Sequence, residues 1–414
     1  MSPDGPYRGF ERLQLDSVRP PRYFRAVSNE GSSRSTEHVS VRGQVLTSLR
    51  DSGPLPRIAL ARELGVSPTT ITRVVAQLVE EGVVAEGSSV SPAGFGRPAT
   101  EVSIKADASI MVGVQIGVGF VQLGLVDLMG TVLHTTGFEY PVEEEAPDVL
   151  DRVGAAVLEI VDAGVADKGV IDGIGIAVPG PVDRAGRRTL LTINLAWRDV
   201  AVADQLERLT GLPVTVDHNV RSMAVAEVRF GGGRNSASAA FVYLRTGLGA
   251  GLVVEGQPFA GGVHGAIEVG HLQLVDNGVD CVCGGRGCIE TVVSESALRR
   301  ALERVGSDDD RVPLSALWHA AHDSAAAKQE LDGVMAPLAL GVASIANLLN
   351  PEVIFLGGAL TQAPSGLFDR LRDDIERGIF PLLRGSIRIE RSSLGFNAGV
   401  LGAATVALDR FFYS

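Results

Sequence analysis

Between residues 38 and 50 the apolar side chains Val41, Val45, Leu46 and Leu49 recur at the spacing of one helix face, and Gly53-Pro54-Leu55-Pro56 stops that helix. A second short helix is predicted through Ile58, Ala59, Ala61 and Leu64, with a turn at Gly65-Val66. Ser67 is placed to cap a third helix, with Pro68 at its first position, where the missing N–H costs nothing. There Ile71, Val74, Val75 and Leu78 stand at i, i+3, i+4 and i+7, a buried stripe. After Gly82 two strand-like runs, 83–90 and 99–104, read as a hairpin joined through Pro92 to Pro98. From Ile110 the pattern changes: strands at 110–116, 120–128 and 131–140, a helix at 147–163 and a strand at 170–178. A second set begins with strands at 239–244 and 250–254, and a long apolar helix, 331–349, leads into a strand at 353–356. Two such α/β halves place a cleft between them, where polar loops from each half converge.

The polar side of the third helix carries chemistry. Ser67, Thr69, Thr70, Thr72, Arg73 and Gln77 offer hydroxyls, an amide and one guanidinium, groups suited to phosphates and base edges, where a merely solvated helix more often carries Glu and Lys. The spacing is that of a helix-turn-helix, and a following hairpin would be a wing with Arg97 near its tip. The stretch from Ala61-Arg62-Glu63-Leu64-Gly65-Val66-Ser67 to Leu78-Val79-Glu80-Glu81-Gly82 resembles winged helix-turn-helix regulators, which implies double-stranded operator DNA as a partner.

Composition narrows this further. With 414 residues, 45% of them apolar, the chain can build two or three domains. No run of about twenty uncharged apolar residues suggests a membrane span. Residues 1–37 mix charge with Pro, Gly and Ser and lack an apolar centre, so they read as a disordered arm rather than a targeting peptide. Residues 1–105 hold 13 basic against 11 acidic side chains, a balance of +2; against −12 overall, this leaves −14 for the rest. The acidic part is no nucleic-acid surface, and the N-terminal part can bind a polyanion only through locally placed arginines.

All three cysteines, Cys281, Cys283 and Cys288, fall within eight positions, and His271 stands ten residues before the first. Three thiols and an imidazole complete a tetrahedral set for Zn²⁺, and a closed four-ligand site leaves no place for an activated water, so the reading is structural. Gly284, Gly285 and Gly287 allow the tight turn between ligands. An odd count and the absence of a secretory pattern argue against a disulfide. Glu268 and Glu290 flank the ligands, so the stapled loop is a candidate platform for a polyol.

The sequence Gly175-Ile176-Ala177-Val178-Pro179-Gly180-Pro181-Val182-Asp183, the segment Glu268-Val269-Gly270-His271 and the cysteine cluster ending at Glu290 together resemble the ROK family of sugar kinases and sugar-responsive regulators, including repressors of the xylose and N-acetylglucosamine type. The resemblance implies an α/β fold of the actin-like ATPase kind, with duplicated ribonuclease-H-like lobes, preceded by an all-α/winged helix-turn-helix domain. The expected organisation is an arm at 1–37, a DNA-binding domain at 38–105 and a sugar-binding domain at 106–414, with its zinc loop at 268–290. By the same resemblance His271, Cys281, Cys283 and Cys288 hold the zinc. Glu268, His271 and Glu290 face sugar hydroxyls, joined by Gly180 and Asn194 from the other lobe and by His218 and Asn219, since carboxylates and amides pair well with neighbouring hydroxyls.

Three departures from the kinase pattern separate the two kinds of relative. Gln115-Ile116-Gly117-Val118-Gly119 stands where a kinase has Asp-Ile-Gly-Gly-Thr, so a carboxylate and a glycine are lost. Asp217-His218-Asn219-Val220-Arg221 stands where a kinase has Glu-Asn-Asp-Ala-Asn, which puts Asn219 at the general base, and an amide cannot take that proton. The second glycine loop survives as Thr246-Gly247-Leu248-Gly249-Ala250-Gly251, but Arg245 precedes it where glycine is common, and Gly357-Gly358 resembles an adenosine-side loop. Asp217 and His218 remain as substitute bases acting through water. The expected function is a non-enzymatic, cytoplasmic repressor, acting as a homodimer or higher oligomer, that binds operator DNA and a sugar; the rival is a sugar kinase with a DNA-binding appendage, and a third reading is a constitutive DNA binder.

Overall fold

The computed structural model describes residues 40–90, 99–164, 170–259, 261, 267–309 and 311–414. The expected arm at 1–37 and the wing residue Arg97 lie outside the described residues.

The chain first builds three helices and a small sheet. Helix α1 (Val41–Ser52) starts where the Ser40 hydroxyl accepts the Gly43 N–H at 3.0 Å. The segment expected only to end it also forms strand β1 (Leu55–Pro56). Helix α2 (Arg57–Leu64) stops at Gly65 in the left-handed region, φ 65°. Helix α3 (Pro68–Glu80) is capped by Ser67, whose hydroxyl accepts the Thr70 N–H at 3.2 Å. Ile71, Val75 and Leu78 are buried as expected, while Val74 is only partly covered. Strands β2 (Val84–Val90) and β3 (Ala99–Ile104) pair antiparallel, and β1 joins β3 with Leu55 opposite Val102.

Two lobes with the same strand plan follow. In the first, β4 (Ser109–Gly117), β5 (Phe120–Asp127) and β6 (Val132–Glu139) form an antiparallel meander. After α4 (Ala146–Gly164), β7 (Val170–Val178) pairs parallel to β4. A short hairpin of β8 (Thr189–Thr192) and β9 (Trp197–Val200) and helix α5 (Val202–Thr210) lead to β10 (Val214–His218), parallel to β7. The sheet order is β10-β7-β4-β5-β6.

After helix α6 (Asn219–Phe230) the plan repeats. Strands β11 (Ser238–Leu244), β12 (Leu248–Val254) and β13 (Gln257–Pro258) run antiparallel. Helices α7 (Glu290–Val293), α8 (Glu295–Arg304), α9 (Pro313–Asp323) and α10 (Ala325–Leu349) precede β14 (Val353–Gly358), which is parallel to β11. Helix α11 (Ser365–Gly378) and β15 (Arg388–Arg391), parallel to β14, complete the order β13-β12-β11-β14-β15. Strand for strand, this is the duplication that the actin-like fold requires. Among the described residues one helix, α10, is long and apolar enough to cross a membrane, but Leu331, Met335, Leu338 and Val342 bury it in the second lobe's core.

The last helix, α12 (Ala398–Ala407), lies between the lobes, against α6 on one side and β4 and β7 on the other. Glycine makes that approach possible: a Cβ on Gly175 would stand 1.8 Å from the Ala403 carbonyl oxygen, and one on Gly113 2.1 Å from that of Val400. Beyond α12 a π-helical turn, Leu408–Phe412, reaches the winged helix, where Arg42 Nη1 donates to the Phe412 carbonyl at 3.0 Å and the Arg50 guanidinium stacks 4.6 Å from the Tyr413 ring centre.

Candidate functional site

Strand register assembles the cleft. Gln115 on β4 pairs with Ala177 on β7, and Val178 on β7 pairs with His218 on β10. Three neighbouring parallel strands therefore deliver Gln115, Pro179-Gly180 and His218-Asn219 to one carboxyl-end edge, the place where open α/β sheets bind ligands. Gly180, at φ 81°, has no room for a side chain, because a Cβ would stand 2.1 Å from the Leu191 carbonyl oxygen; this seats it on the β8–β9 hairpin that carries exposed Asn194. Gln115 is 2% exposed and lies against Gly399, and its Nε2 has no hydrogen-bond partner among the described residues.

At the start of α6 the polar side chains turn to the local backbone and to Arg221. The His218 ring accepts the Arg221 N–H through Nδ1 at 3.4 Å, and Asn219 Oδ1 accepts the Val220 N–H at 2.7 Å. Asp217 accepts the His218 N–H at 2.6 Å and the Arg221 Nε–H at 2.9 Å. Burial, reinforced by Arg221, pushes His218 down to about 4, so the ring is neutral. With Nδ1 accepting, Nε2 carries the proton and can only donate. Burial likewise raises the Asp217 carboxyl above its usual range, against the pull of Arg221. These contacts argue against the substitute base expected at Asp217 and His218: one lone pair caps a helix and the other acceptor is held by arginine.

In the second lobe, β12 packs on the 268–290 loop and on the same helix. Glycines on β12 touch its first turn, a Cβ on Gly249 falling 2.7 Å from Val220 Cγ2. Glu290 Oε2 accepts the Leu248 N–H at 3.1 Å, and Gly247 and Gly270 leave the room for its carboxylate. Burial raises the Glu268 carboxyl, His271 lowering it and facing Glu290 raising it further. Glu268, His271 and Glu290 therefore share one neighbourhood, as expected from their flanking positions.

The ligand atoms of His271, Cys281, Cys283 and Cys288 all lie within 4.8 Å of one another. Cys283 and Cys288 sulfurs are 3.7 Å apart, and Cys281 Sγ is 3.6 Å from His271 Nδ1. A tetrahedron with Zn–S near 2.3 Å and Zn–N near 2.1 Å has edges of about 3.8 and 3.6 Å, so these two edges fit a single ion of that size. The turn that brings them together uses Gly284 and Gly287 at φ 89° and 74°. Without a cation, burial and the neighbouring thiols push Cys288 up to about 12. The cluster can hold a metal ion.

A model of the ROK family matches residues 111–410, and a MarR family model matches residues 41–86. The chain belongs to the ROK family. It is similar to the xylose repressor of Bacillus subtilis (strain 168), 26% identical over 89% of this chain and 94% of the relative. The glucokinase of Thermotoga maritima is 30% identical over 72% of this chain and 98% of its own length, so it lacks a counterpart for part of the chain. A solved ROK family transcriptional regulator, described as a homologue of the Escherichia coli MLC protein, superposes with a TM-score of 0.76 at 27% identity, covering 90% of this chain and 96% of that one.

In the N-terminal segment that matches the MarR model, Ser67, Thr69, Thr72, Arg73 and Gln77 are exposed, while Thr70 is half-buried. Ser67 and Thr70 hydroxyls bond each other at 2.8 Å, and Thr72 donates to the Pro68 carbonyl at 2.8 Å. Gln77 Nε2 donates to Glu81 at 2.8 Å. Thr69 and Arg73 are thus the freest of the set, and Ser67 with Thr70 serves the helix start first. Sequence reasoning missed Phe120, Tyr140 and the C-terminal contacts to Arg42 and Arg50, whose partners lie far away along the chain.

Proposed function

We propose that this chain is a sugar-responsive DNA-binding transcriptional repressor whose ROK domain binds a carbohydrate and does not phosphorylate it. What supports it is a winged helix joined to a ROK cleft in which Asn219, which by the sequence resemblance stands at the kinase base position, holds an amide turned to its own helix backbone. A repressor and a transcriptional regulator, each similar along nearly its whole length, support the same reading. Thr69, Arg73 and Gln77 read the operator, Ser67, Thr70 and Thr72 position the helix and its phosphate contacts, and Arg97 reaches the backbone or minor groove from the wing.

In the cleft, Glu268, His271, Glu290 and Asn219 bind sugar hydroxyls, with Gly180 and Asn194 from the opposite lobe and the His218 Nε2–H as a donor. The metal is Zn²⁺ and its role structural. His271 faces Cys281 through Nδ1, so that nitrogen is the ligand and Nε2–H is left to donate to a hydroxyl. Zinc and sugar then share one imidazole, and the metal fixes its tautomer. Two copies place two α3 helices on half-sites about 34–36 Å apart, and a sugar that prefers one lobe angle changes that spacing. The protein acts in the cytoplasm.

Operator gel shifts with D-xylose, D-glucose and N-acetyl-D-glucosamine, read beside ATP turnover with each sugar, test the proposal. The expected outcome is an operator affinity that at least one sugar changes by about fivefold or more, with no sugar phosphate formed. Phosphorylation by the wild-type chain would overturn it in favour of a kinase.

A further inference from the structure

Two residues that are 125 positions apart in sequence meet in the cleft. Phe120 follows the first glycine loop, on the β4–β5 turn of the first lobe, and Arg245 opens the second, on the β11–β12 turn of the other lobe. The Arg245 guanidinium carbon lies 3.5 Å from the centre of the Phe120 ring, face on. The ring also covers the first loop: a Cβ on Gly117 would stand 2.0 Å from Phe120 Cε1. A phosphate cradle needs open backbone N–H groups at this place, and here the aromatic ring fills it. Arg245 has no carboxylate partner among the described residues, so its charge is spent on the ring.

Both ends are anchored to their own lobes. Tyr140 holds the first turn twice, its hydroxyl donating to the Gly117 carbonyl at 2.5 Å and its N–H to the Gly119 carbonyl at 3.0 Å. Arg245 donates its N–H to the Gly247 carbonyl and accepts the Glu295 N–H from the start of α8, each at 3.0 Å. A stack whose two halves are fixed to different rigid bodies constrains the angle between those bodies.

We propose that Phe120 and Arg245 form an inter-lobe clasp that takes the place of a bound nucleotide: it fills the space between the two glycine loops and ties the lobes together with no phosphate present. The inference rests on the reading of the cleft as non-catalytic, and it goes further by naming what replaces the lost ligand. A cavity of about 300 Å³ beside the clasp, lined by Tyr243, Arg245, Thr361, Gln362, Phe396 and Gly399, stays open, so the clasp closes the phosphate end and not the whole cleft.

Hydrogen exchange and calorimetry on the full chain test the clasp without using operator or sugar, so their outcome is separate from that of the repressor reading. Phe120→Ala is expected to speed exchange at 244–248, on the other lobe, by roughly fivefold to tenfold, and Arg245→Ala to do the same at 117–120. The double variant should be no faster than either single one, since both remove one contact. Arg245→Lys, which keeps the cation, should stay near the wild type. The magnesium complex of a non-hydrolysable ATP analogue should give no binding heat at millimolar concentration with the wild-type chain. Variants that loosen only their own turn, additive effects in the double variant, or wild-type binding of the analogue would each overturn the clasp.

Discussion

At the residue scale, His218 serves the fold as the cap of helix α6. Its ring is 7% exposed, neutral and used as a helix cap, and burial holds its pKa at about 4 against 6.5 when free. The folded chain therefore binds fewer protons at this group than the unfolded chain between these values, and stability rises with pH across that window. The contribution is fully present above 6.5 and falls as pH drops toward 4, by up to about 3 kcal/mol for a shift of this size. Asp217, with its carboxyl raised, opposes this in the acid part of the window. Thermal unfolding of the wild type at pH 7 and 4.5 should show a larger loss than His218→Gln, which has no proton to gain; equal losses would contradict the assignment. The cysteines give a second prediction at this scale. Cys283→Ser removes one of four converging donors, so metal analysis should fall from about one zinc per chain to well below it, and affinity for the responsive sugar should weaken by about tenfold or more through the shared His271. A variant that keeps both zinc and sugar would refute the shared imidazole.

At the scale of elements, α12 decides how closely the lobes approach. Gly175 and Gly113 face its backbone directly, so Gly175→Ala must push the helix from β7, and the cost expected of such overpacking is about 1–3 kcal/mol. Gly333, on the exposed face of helix α10 with open space around it, is the control: Gly333→Ala should stabilise by about 0.5–1 kcal/mol. Urea titrations of the two variants should move in opposite directions. This element also marks where sequence reading ends. Helix α3 was legible because Ile71, Val75 and Leu78 repeat against a polar face, and the metal cluster because its donors lie within eighteen residues. Helix α12, Ala-Gly-Val-Leu-Gly-Ala-Ala-Thr-Val-Ala, is small and apolar all round. It has no periodicity to read, because both of its sides are buried, one against α6 and one against the first sheet. The Phe120–Arg245 stack was hidden for another reason: its two members stand 125 positions apart, and only the duplication of lobes places the two turns face to face.

At the scale of the whole molecule, the same helix is a continuous path between cleft and winged helix. It begins at Ala398-Gly399 against Gln115, at the ligand edge, and runs into the turn that ends with Phe412 and Tyr413 against Arg42 and Arg50 of α1. Tyr413 is tied back to the first lobe through its hydroxyl, which donates to the Leu128 carbonyl at 2.6 Å. Helix α6, whose first residue is Asn219, pairs its Arg229 with Asp409 on that turn. Both helices that touch the ligand edge therefore end on the segment that holds α1. Continuity alone does not make a coupling; a ligand must also favour one arrangement. Cutting the connection separates the two requirements. In Asp409→Asn combined with Tyr413→Leu, the sugar should bind with an affinity within about twofold of the wild type, because no cleft residue has changed. The operator should still be bound, because α3 is intact. What should be lost is the link: the sugar-induced change in operator affinity, expected at about fivefold or more in the wild type, should fall below about twofold. Fluorescence titrations of labelled operator with and without the sugar read this directly. A full response in the double variant would show that the lobes signal through another surface, such as the contact between two copies.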